Sequence, residues 1–220
     1  MPHKRKELKI EGPNLWYLVG LITSDGSLSS DGRHIDITSK DRGFLIALKE
    51  QSGLINKVCV KNRGKQHQAY RIQIANRDFY DFLLSIGLMQ NKSLILGALK
   101  IPNQYFVDFL RGLIDGDGSI RRWVHPSNKR EQWSLRIYSG SETFVKWLDN
   151  AVETFIKVKG KIHKDTSRNI CVLKYGKMAA REISQKCYYK GCFGLERKIE
   201  LAKGCHSSYM GWKQSKTVLS

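Results

Sequence analysis

Two segments of this 220-residue chain have nearly the same sequence. Residues 18–27 read LVGLITSDGS, and residues 110–119 read LRGLIDGDGS. Each segment is an apolar run in which a small residue recurs at every fourth position, so the small residues share one face of a helix. A glycine directly after such a run is typical of a helix end. The sequence therefore predicts two helices that end at Asp25 and Asp117.

An aspartate is unfavourable at a helix C-terminus, because the helix dipole is negative there and costs an anion up to about 1 kcal/mol. If the helices pack through Gly20 and Gly112, the two carboxylates come together and resist joint ionisation. A divalent cation beside them relieves this repulsion, with help from free carbonyls such as those of Ser24 and Gly116. Mg²⁺ suits such oxygen ligands, so we predict a magnesium site there.

The composition indicates a polyanionic partner. The chain carries 38 Lys and Arg against 20 Asp and Glu, a net charge of +18, and its hydrophobic fraction of 41% is that of a globular protein. No apolar run reaches the roughly 20 residues that cross a bilayer. The basic residues are also scattered rather than confined to one helix face. We therefore expect nucleic acid, and not a membrane surface, as the partner.

The five cysteines indicate a reducing compartment. Their number is odd and they form no C-x-x-C pair, and Cys187, Cys192 and Cys205 with His206 fit no standard zinc spacing. We interpret all five as reduced thiols. Residues 1–6 have no apolar core, so no secretion signal is expected. These features predict a prokaryotic cytoplasm, or an organelle that encodes the protein.

The chain reads as a tandem repeat. The two motif aspartates are 117 − 25 = 92 residues apart, whereas Phe44 and Phe144 downstream are 100 apart. About eight extra residues therefore follow the second motif. The sequence predicts a first repeat over residues 1–88, a linker over 89–102 and a second repeat over 103–220.

Each repeat is predicted to be α+β, with the order α-β-β-α-β-β-α and antiparallel sheets. The first repeat is assigned helices at 13–25, 41–52 and 76–87, a hairpin at 27–38 and strands at 57–63 and 68–75. The second is assigned helices at 103–117, 141–155 and 177–188, a hairpin at 119–139 and strands at 157–164 and 169–175.

The strands alternate between apolar and polar residues, so one face of each sheet is core and the other is polar. A solvated face is the ordinary interpretation, but the net charge and the duplication favour two sheets lying along a DNA major groove. The polar side chains expected to face DNA are His34, Asp36, Thr38, Arg71, Gln73, Ser134, Arg136, Tyr138 and His163. Phosphate contacts are expected from Arg63, Lys65, Arg121, Arg122, Lys129, Arg130 and Lys161.

The duplicated motif resembles that of the LAGLIDADG homing endonucleases, in the single-chain form with two repeats. The resemblance covers essentially the whole chain. Residues 111–118 are close to the family pattern, whereas the first copy has Thr23 and Ser24 in place of an Asp-Ala or Asp-Gly pair. The final acid, Asp25, is retained, so the departure touches helix packing more than metal binding.

The resemblance implies a monomer whose motif helices form the interface between two pseudo-symmetric halves, above which two sheets make a saddle-shaped DNA-binding surface. Such enzymes cut both strands of a long asymmetric site across the minor groove, leave short 3′ overhangs and promote the mobility of their own intron or gene. Mg²⁺ is the expected cofactor, with Mn²⁺ substituting for it and Ca²⁺ binding without cleavage.

The resemblance also assigns roles to individual residues. Asp25 and Asp117 carry over as the metal ligands, each assigned mainly to one scissile phosphate. Lys92 and Lys198 match the lysine that follows the last helix of each half, where it stabilises charge on the phosphate or orients water.

Two further assignments keep an alternative open. Gln132 is the candidate for positioning water, with Glu131 as the neighbour that could replace it, and no counterpart is evident near residues 31–33 of the first half. Asp115 is interpreted as a helix-packing or capping residue, with metal binding as the alternative.

Three other functions remain as alternatives to an endonuclease. An RNA maturase of the same fold would bind its own intron RNA and need neither Asp25 nor Asp117. A silent DNA-binding regulator usually lacks one of these acids, and a generic basic RNA-binding protein leaves the doubled Asp-Gly-Ser unexplained.

Overall fold

The computed structural model describes residues 10–63 and 67–214, with only the backbone described for 62, 63, 67 and 209–214. The first repeat contains α1 (Gly12–Asp25), β1 (Gly26–Leu28), β2 (His34–Ser39), α2 (Arg42–Gln51), β3 (Val58–Arg63), β4 (His67–Ala75) and α3 (Arg77–Ser85). The second contains α4 (Phe106–Asp117), β5 (Gly118–Val124), β6 (Glu131–Ser139), α5 (Glu142–Ile156), β7 (Lys161–Asp165), β8 (Ile170–Tyr175), α6 (Lys177–Cys187) and α7 (Glu196–Gln214).

Each repeat folds into one four-stranded antiparallel sheet. The strand order is β1-β2-β4-β3 in the first sheet and β5-β6-β8-β7 in the second. Gly26 pairs with Ile37, and Gly118 pairs with Ile137, so the second hairpin is eight residues longer. The α+β fold of two related repeats is thus confirmed, as is the position of the insertion.

Local capping explains where several elements begin. The side chains of Asp41, Asn76 and Ser141 each accept a hydrogen bond from a backbone N–H three residues later, and they begin α2, α3 and α5. Lys157 ends α5 in the left-handed conformation, with φ of 67°. Strand β7 therefore begins at Lys161 rather than at the predicted residue 157.

Two helical features differ from the sequence prediction. Residues 103–105 form a short 3₁₀ turn, so the α-helix of the second motif begins only at Phe106. Helix α7 was not predicted at all, because its apolar residues do not recur on one face in the way that marks an amphipathic helix. Among the described residues, no helix is long and apolar enough to cross a membrane.

The core lies between the sheets and the helices, and the motif helices α1 and α4 run through its centre. Strand alternation is confirmed, since Ile35, Ile37, Trp133, Leu135 and Ile137 are all buried. The opposite faces of both sheets carry the polar side chains.

Candidate metal centre and nucleic-acid interface

Helices α1 and α4 cross at a pair of glycines. A Cβ on Gly20 would lie 2.0 Å from the carbonyl oxygen of Phe109, and a Cβ on Gly112 would lie 2.1 Å from that of Tyr17. Because these residues correspond at the offset of 92, the two contacts are related by a pseudo-twofold axis. The prediction that the motif helices pack against each other at the interface between the repeats is confirmed, and Gly20 and Gly112 lie where they cross.

The crossing brings the two motif aspartates to the same end of the interface. Asp25 and Asp117 are the last residues of α1 and α4, and both are exposed. Desolvation by the surrounding protein and, after it, the negative charge of Asp117 together raise the pKa of Asp25 to about 6. Desolvation also raises the pKa of Asp117. These carboxylates therefore resist ionisation in the absence of a cation.

Two buried lysines flank the carboxylates. The ammonium of Lys92 donates a hydrogen bond to the carbonyl of Gly26, directly after Asp25. The ammonium of Lys198 donates to Gly118 at 3.0 Å, directly after Asp117. Gly26 and Gly118 correspond at the offset of 92, so the lysines are pseudo-symmetric. Burial lowers the pKa of Lys92, and it lowers that of Lys198 to about 8.

Each aspartate shares a cavity with a segment of the other half. Asp117 lines one cavity together with Lys92 and with Tyr138 at the end of β6. Asp25 lines a second cavity together with Arg197, next to Lys198, and with Thr38 at the end of β2. Residues that follow α3 in the first repeat and α6 in the second therefore complete the surroundings of the other repeat's acid.

The donor set at the helix ends fits a hard divalent cation. Within residues 10–63 and 67–214, no group of three or more His, Cys, Asp or Glu side chains is placed to hold a metal ion. The oxygens available are the two carboxylates and helix-end carbonyls such as those of Ser24 and Gly116, which leaves positions for water or phosphate. Mg²⁺ prefers this combination. The assignment of these four residues as ligands stays a prediction.

Gln132, rather than its neighbour Glu131, lies on the polar face of the second sheet. Gln132 is opposite Trp123 on the adjacent strand. The Glu131 carboxylate accepts hydrogen bonds from the Trp133 indole at 2.5 Å and from Arg122 at 2.8 Å, on the core side. The offset of 100 that relates β2 to β6 gives Gly32 as the counterpart of Gln132, so the first half has no equivalent side chain there.

The polar face of the first sheet brings the predicted residues together. Asp36 pairs with Gln73, and Thr38 pairs with Arg71, while His34 is opposite Ala75 on the same face. Arg71 lies 3.8 Å from the Asp36 carboxylate. Lys61, which sequence analysis missed, donates to the Thr38 hydroxyl at 3.2 Å. The Arg63 side chain and all of Lys65 lie outside the described residues.

On the second sheet, most of the predicted residues also share one face. These residues are Arg121, Ser134, Arg136, Tyr138, Lys161 and His163. Ser134 is fully buried, so it is not available to DNA in this conformation. Lys129 and Arg130 are exposed in the β5–β6 loop. Trp123 and Lys174 lie on this face as well and were missed, although their period-2 spacing from Arg121 and Val172 could have found them.

Arg122, which was expected to contact phosphate, lies on the opposite face of β5 from Arg121. Its guanidinium is 2.6 Å from the Glu131 carboxylate and 5.9 Å from the centre of the Trp133 ring. Strand alternation places Arg122 on the side of the buried Ile120. The structure therefore does not support a DNA contact by Arg122 at the face that carries Arg121.

In this chain two repeats are joined by two helices that cross at glycines and end in aspartates. This arrangement is that of the two-repeat LAGLIDADG fold. Residues 12–87 match the family model described as a LAGLIDADG-like domain. No curated protein sequence matches the chain significantly. Residues 12–87 are therefore similar to a LAGLIDADG-like domain, and the chain as a whole shares its fold with solved structures of homing endonucleases.

Solved structures share this fold at low sequence identity. The meganuclease I-SmaMI bound to uncleavable DNA is 12% identical, with a TM-score of 0.61 over 96% of this chain and 93% of that one. I-DmoI in complex with DNA and Ca is 15% identical, with a TM-score of 0.57 over 87% and 97%. Full-length DUF199/WhiA from Thermatoga maritima is also 15% identical, with a TM-score of 0.57 over 96% and 70%.

Proposed function

We propose that this protein is a metal-dependent, site-specific endonuclease that makes a double-strand break in a long asymmetric DNA target. The observation that carries the proposal is the pair of exposed carboxylates, Asp25 and Asp117, held at the tips of interlocked helices and flanked by buried Lys92 and Lys198. Holding two acids together opposes their ionisation. A cation bound beside the two carboxylates would offset their repulsion.

The proposed chemistry divides between the metal and the protein. When bound, Mg²⁺ would polarise the scissile phosphates and lower the pKa of the attacking water. Asp25 and Asp117, with the carbonyls of Ser24 and Gly116, would hold it, with Mn²⁺ as a substitute and Ca²⁺ as a non-catalytic ligand. Lys92 and Lys198 would place positive charge beside the reacting phosphates.

The proposed DNA complex follows from the two sheets. Their basic, amide-bearing faces would each lie in the major groove of one half-site, with Arg121 and Arg136 in one half and Arg71 and Gln73 in the other. The acids between the sheets would then meet the intervening minor groove, where cuts leave short 3′ overhangs. I-SmaMI and I-DmoI were both determined with DNA, and I-DmoI also with Ca, which supports this choice of partner and cofactor.

The two proposed active sites are unequal. Gln132 can position water in one half, whereas Gly32 is the counterpart in the other. Lys198 donates to several helix-end carbonyls, whereas Lys92 donates to that of Gly26. We therefore expect the two strands to be cut at different rates, by a monomer, in the compartment that holds its intron or gene. That compartment would be a prokaryotic cytoplasm or an organelle that encodes it.

A DNA-binding protein without cleavage activity is the second candidate. The likeness to WhiA favours this candidate, because a protein that is not named as an endonuclease shares the fold over 96% of this chain. An intron maturase, bound to RNA, would share the fold as well. Retention of Asp25, Asp117, Lys92 and Lys198 together favours cleavage, since neither alternative needs all four.

A cleavage-selection experiment tests these candidates. A randomised double-stranded DNA library would be incubated with the protein in Mg²⁺ and, separately, in Ca²⁺, with Asp25→Asn and Asp117→Asn as matched variants. We expect double-strand cuts at one sequence in Mg²⁺, binding without cuts in Ca²⁺, and loss of double-strand cutting in both variants. Tight DNA binding without cutting in any divalent metal would favour a regulator, and preferential binding of structured intron RNA would favour a maturase.

A further inference from the structure

Resting on the proposed endonuclease function, we propose that Asp115 is a positioning residue that fixes Lys198 in one of the two active sites. Asp115 is two residues before the metal-ligand candidate Asp117, on the same motif helix, but its side chain points into the protein and is 1% exposed. It therefore acts through the chain that it holds rather than by touching the DNA.

The Asp115 carboxylate accepts three hydrogen bonds from three different parts of the chain. The Tyr17 hydroxyl on α1 donates at 2.8 Å, the Tyr188 hydroxyl after α6 donates at 2.7 Å, and the backbone N–H of Leu195 donates at 2.8 Å. A carboxylate held by three donors in a buried site is fixed in one orientation. It fastens the segment after α6 onto the interface between the motif helices.

The bond to Leu195 determines where helix α7 begins. The Leu195 carbonyl accepts the N–H of Lys198 at 2.8 Å and that of Ile199 at 3.0 Å, so Leu195 starts the first turn. Gly194 lies against the same carboxylate, since a Cβ there would be 2.9 Å from the Asp115 oxygen. The side chain of Asp115 thus holds the turn from which Lys198 projects.

Lys198 then returns to the helix that carries Asp115. Its ammonium donates to the carbonyls of Ile114, of Asp115 at 2.7 Å and of Gly118 at 3.0 Å, and it lies 3.4 Å from that of Gly116. The motif helix therefore holds Lys198 in two ways. The Asp115 side chain holds the turn from which Lys198 projects, and the backbone carbonyls accept hydrogen bonds from its ammonium. Loss of the hydrogen bond between Asp115 and Leu195 would leave the ammonium free to move away from the phosphate that it is proposed to stabilise.

The other half has no equivalent of this arrangement. Thr23 occupies the corresponding position at the offset of 92, and its hydroxyl donates within its own helix to Val19 at 2.8 Å. Lys92 projects from the segment after α3, and Thr23 has no hydrogen bond to that segment among those described. Loss of the Asp115 carboxylate should therefore affect one active site and spare the other.

Strand-resolved cleavage tests the proposal. Single-turnover nicking of each labelled strand would be followed for wild type, Asp115→Asn, Lys198→Met, the double variant and the control Thr23→Val. Because lost outer-shell contacts cost about 10- to 100-fold in activity, we expect Asp115→Asn to slow one strand by that range, and it should be the strand that Lys198→Met slows. The other strand and both strands of Thr23→Val should stay within about threefold, a change small on the same scale.

The double variant distinguishes positioning from general destabilisation. If Asp115 acts through Lys198, the double variant cuts no more slowly than Lys198→Met alone. Equal slowing of both strands by Asp115→Asn, or multiplication of the two single effects, would overturn the proposal. A wild type that cuts no DNA would instead overturn the proposed endonuclease function.

Hydrogen exchange tests the same step without cleavage. We expect the amides of residues 195–199 to exchange faster in Asp115→Asn than in wild type or Thr23→Val, with exchange in the sheets unchanged. Unchanged exchange at Leu195 and Lys198 would overturn the proposal whether or not the protein cuts DNA.

Discussion

Gly20 lies so close to Phe109 that a Cβ atom on the glycine would sit 2.0 Å from the Phe109 carbonyl oxygen. No side chain can be accommodated at that distance without moving one backbone away from the other. The crossing of α1 and α4 therefore depends on glycine at this position and at its counterpart Gly112. The same crossing sets the separation of Asp25 and Asp117, so stability and the proposed metal binding depend on the same contact.

We expect Gly20→Ala and Gly112→Ala each to lower the free energy of unfolding by about 3 kcal/mol or more, because overpacking against a backbone cannot be relieved by a rotamer change. Urea denaturation measures this loss. Gly97→Ala is the control, since a Cβ there meets nothing within 4 Å. Equal effects at Gly20 and Gly97 would contradict the close helix crossing.

The raised pKa of Asp25 gives a second prediction. Its folded-state pKa of about 6 lies above the ordinary value of 3.8, so the folded protein binds this proton more tightly than the unfolded chain does. The metal-free protein should therefore gain stability as the pH falls from above 6 towards 4. For the same reason Asp25→Asn should raise the Tm at pH 7.5 and raise it less at pH 5.

Thermal melts with and without Mg²⁺ test this prediction. Mg²⁺ should raise the Tm of wild type at pH 7.5 but raise that of Asp25→Asn much less, because a ligand stabilises only the state that binds it. Asp31→Asn is the control, since a hydrogen bond with His34 lowers the Asp31 pKa to about 2 and its removal cannot relieve repulsion. A lower Tm for Asp25→Asn at pH 7.5 would contradict the inference that the ionised Asp25 carboxylate destabilises the metal-free protein.

Much of the fold could be predicted because the sequence contains two copies of the same repeat. The offsets of 92 and 100 aligned two weak strand patterns, and the doubled Asp-Gly-Ser identified the interface helices. The site was harder to predict where it depends on long-range contacts. Lys198 was expected after the last helix, whereas it lies in the first turn of α7, and the buried hydrogen bonds of Asp115 join segments 80 and 98 residues apart.

Arg121 and Arg122 provide a third prediction, because they are neighbours on opposite faces of β5. Arg121 is exposed on the polar face, whereas Arg122 pairs with Glu131 on the core side. If DNA lies on the polar face, Arg121→Ala should weaken binding across sequences and reduce the salt slope by about 1. Arg122→Ala should leave that slope nearly unchanged. Titrations of labelled DNA at several salt concentrations distinguish the two, and equal slopes for both variants would place the DNA elsewhere.

The last prediction concerns a buried arginine inside the second motif. Arg111 is 1% exposed, where its counterpart at the offset of 92 is the apolar Val19. Its guanidinium lies 2.9 Å from the Asp108 carboxylate, donates to the carbonyls of Phe193 and Cys187 and stacks 5.2 Å from the centre of the Tyr17 ring. It therefore joins the motif helix to the segment that leads to Lys198.

Because removal of one partner leaves a buried charge unpaired, Arg111→Met should cost about 3–5 kcal/mol of the free energy of unfolding. Asp108→Asn combined with Arg111→Met should recover much of that loss, since no charge then remains buried. The exposed pair of Arg77 and Asp81, at 3.7 Å, is the control, and Arg77→Met should cost less than about 1 kcal/mol. Urea denaturation of the three variants and of wild type measures these differences, and a double variant as unstable as Arg111→Met would mean that the lost carbonyl contacts, not the charge, dominate.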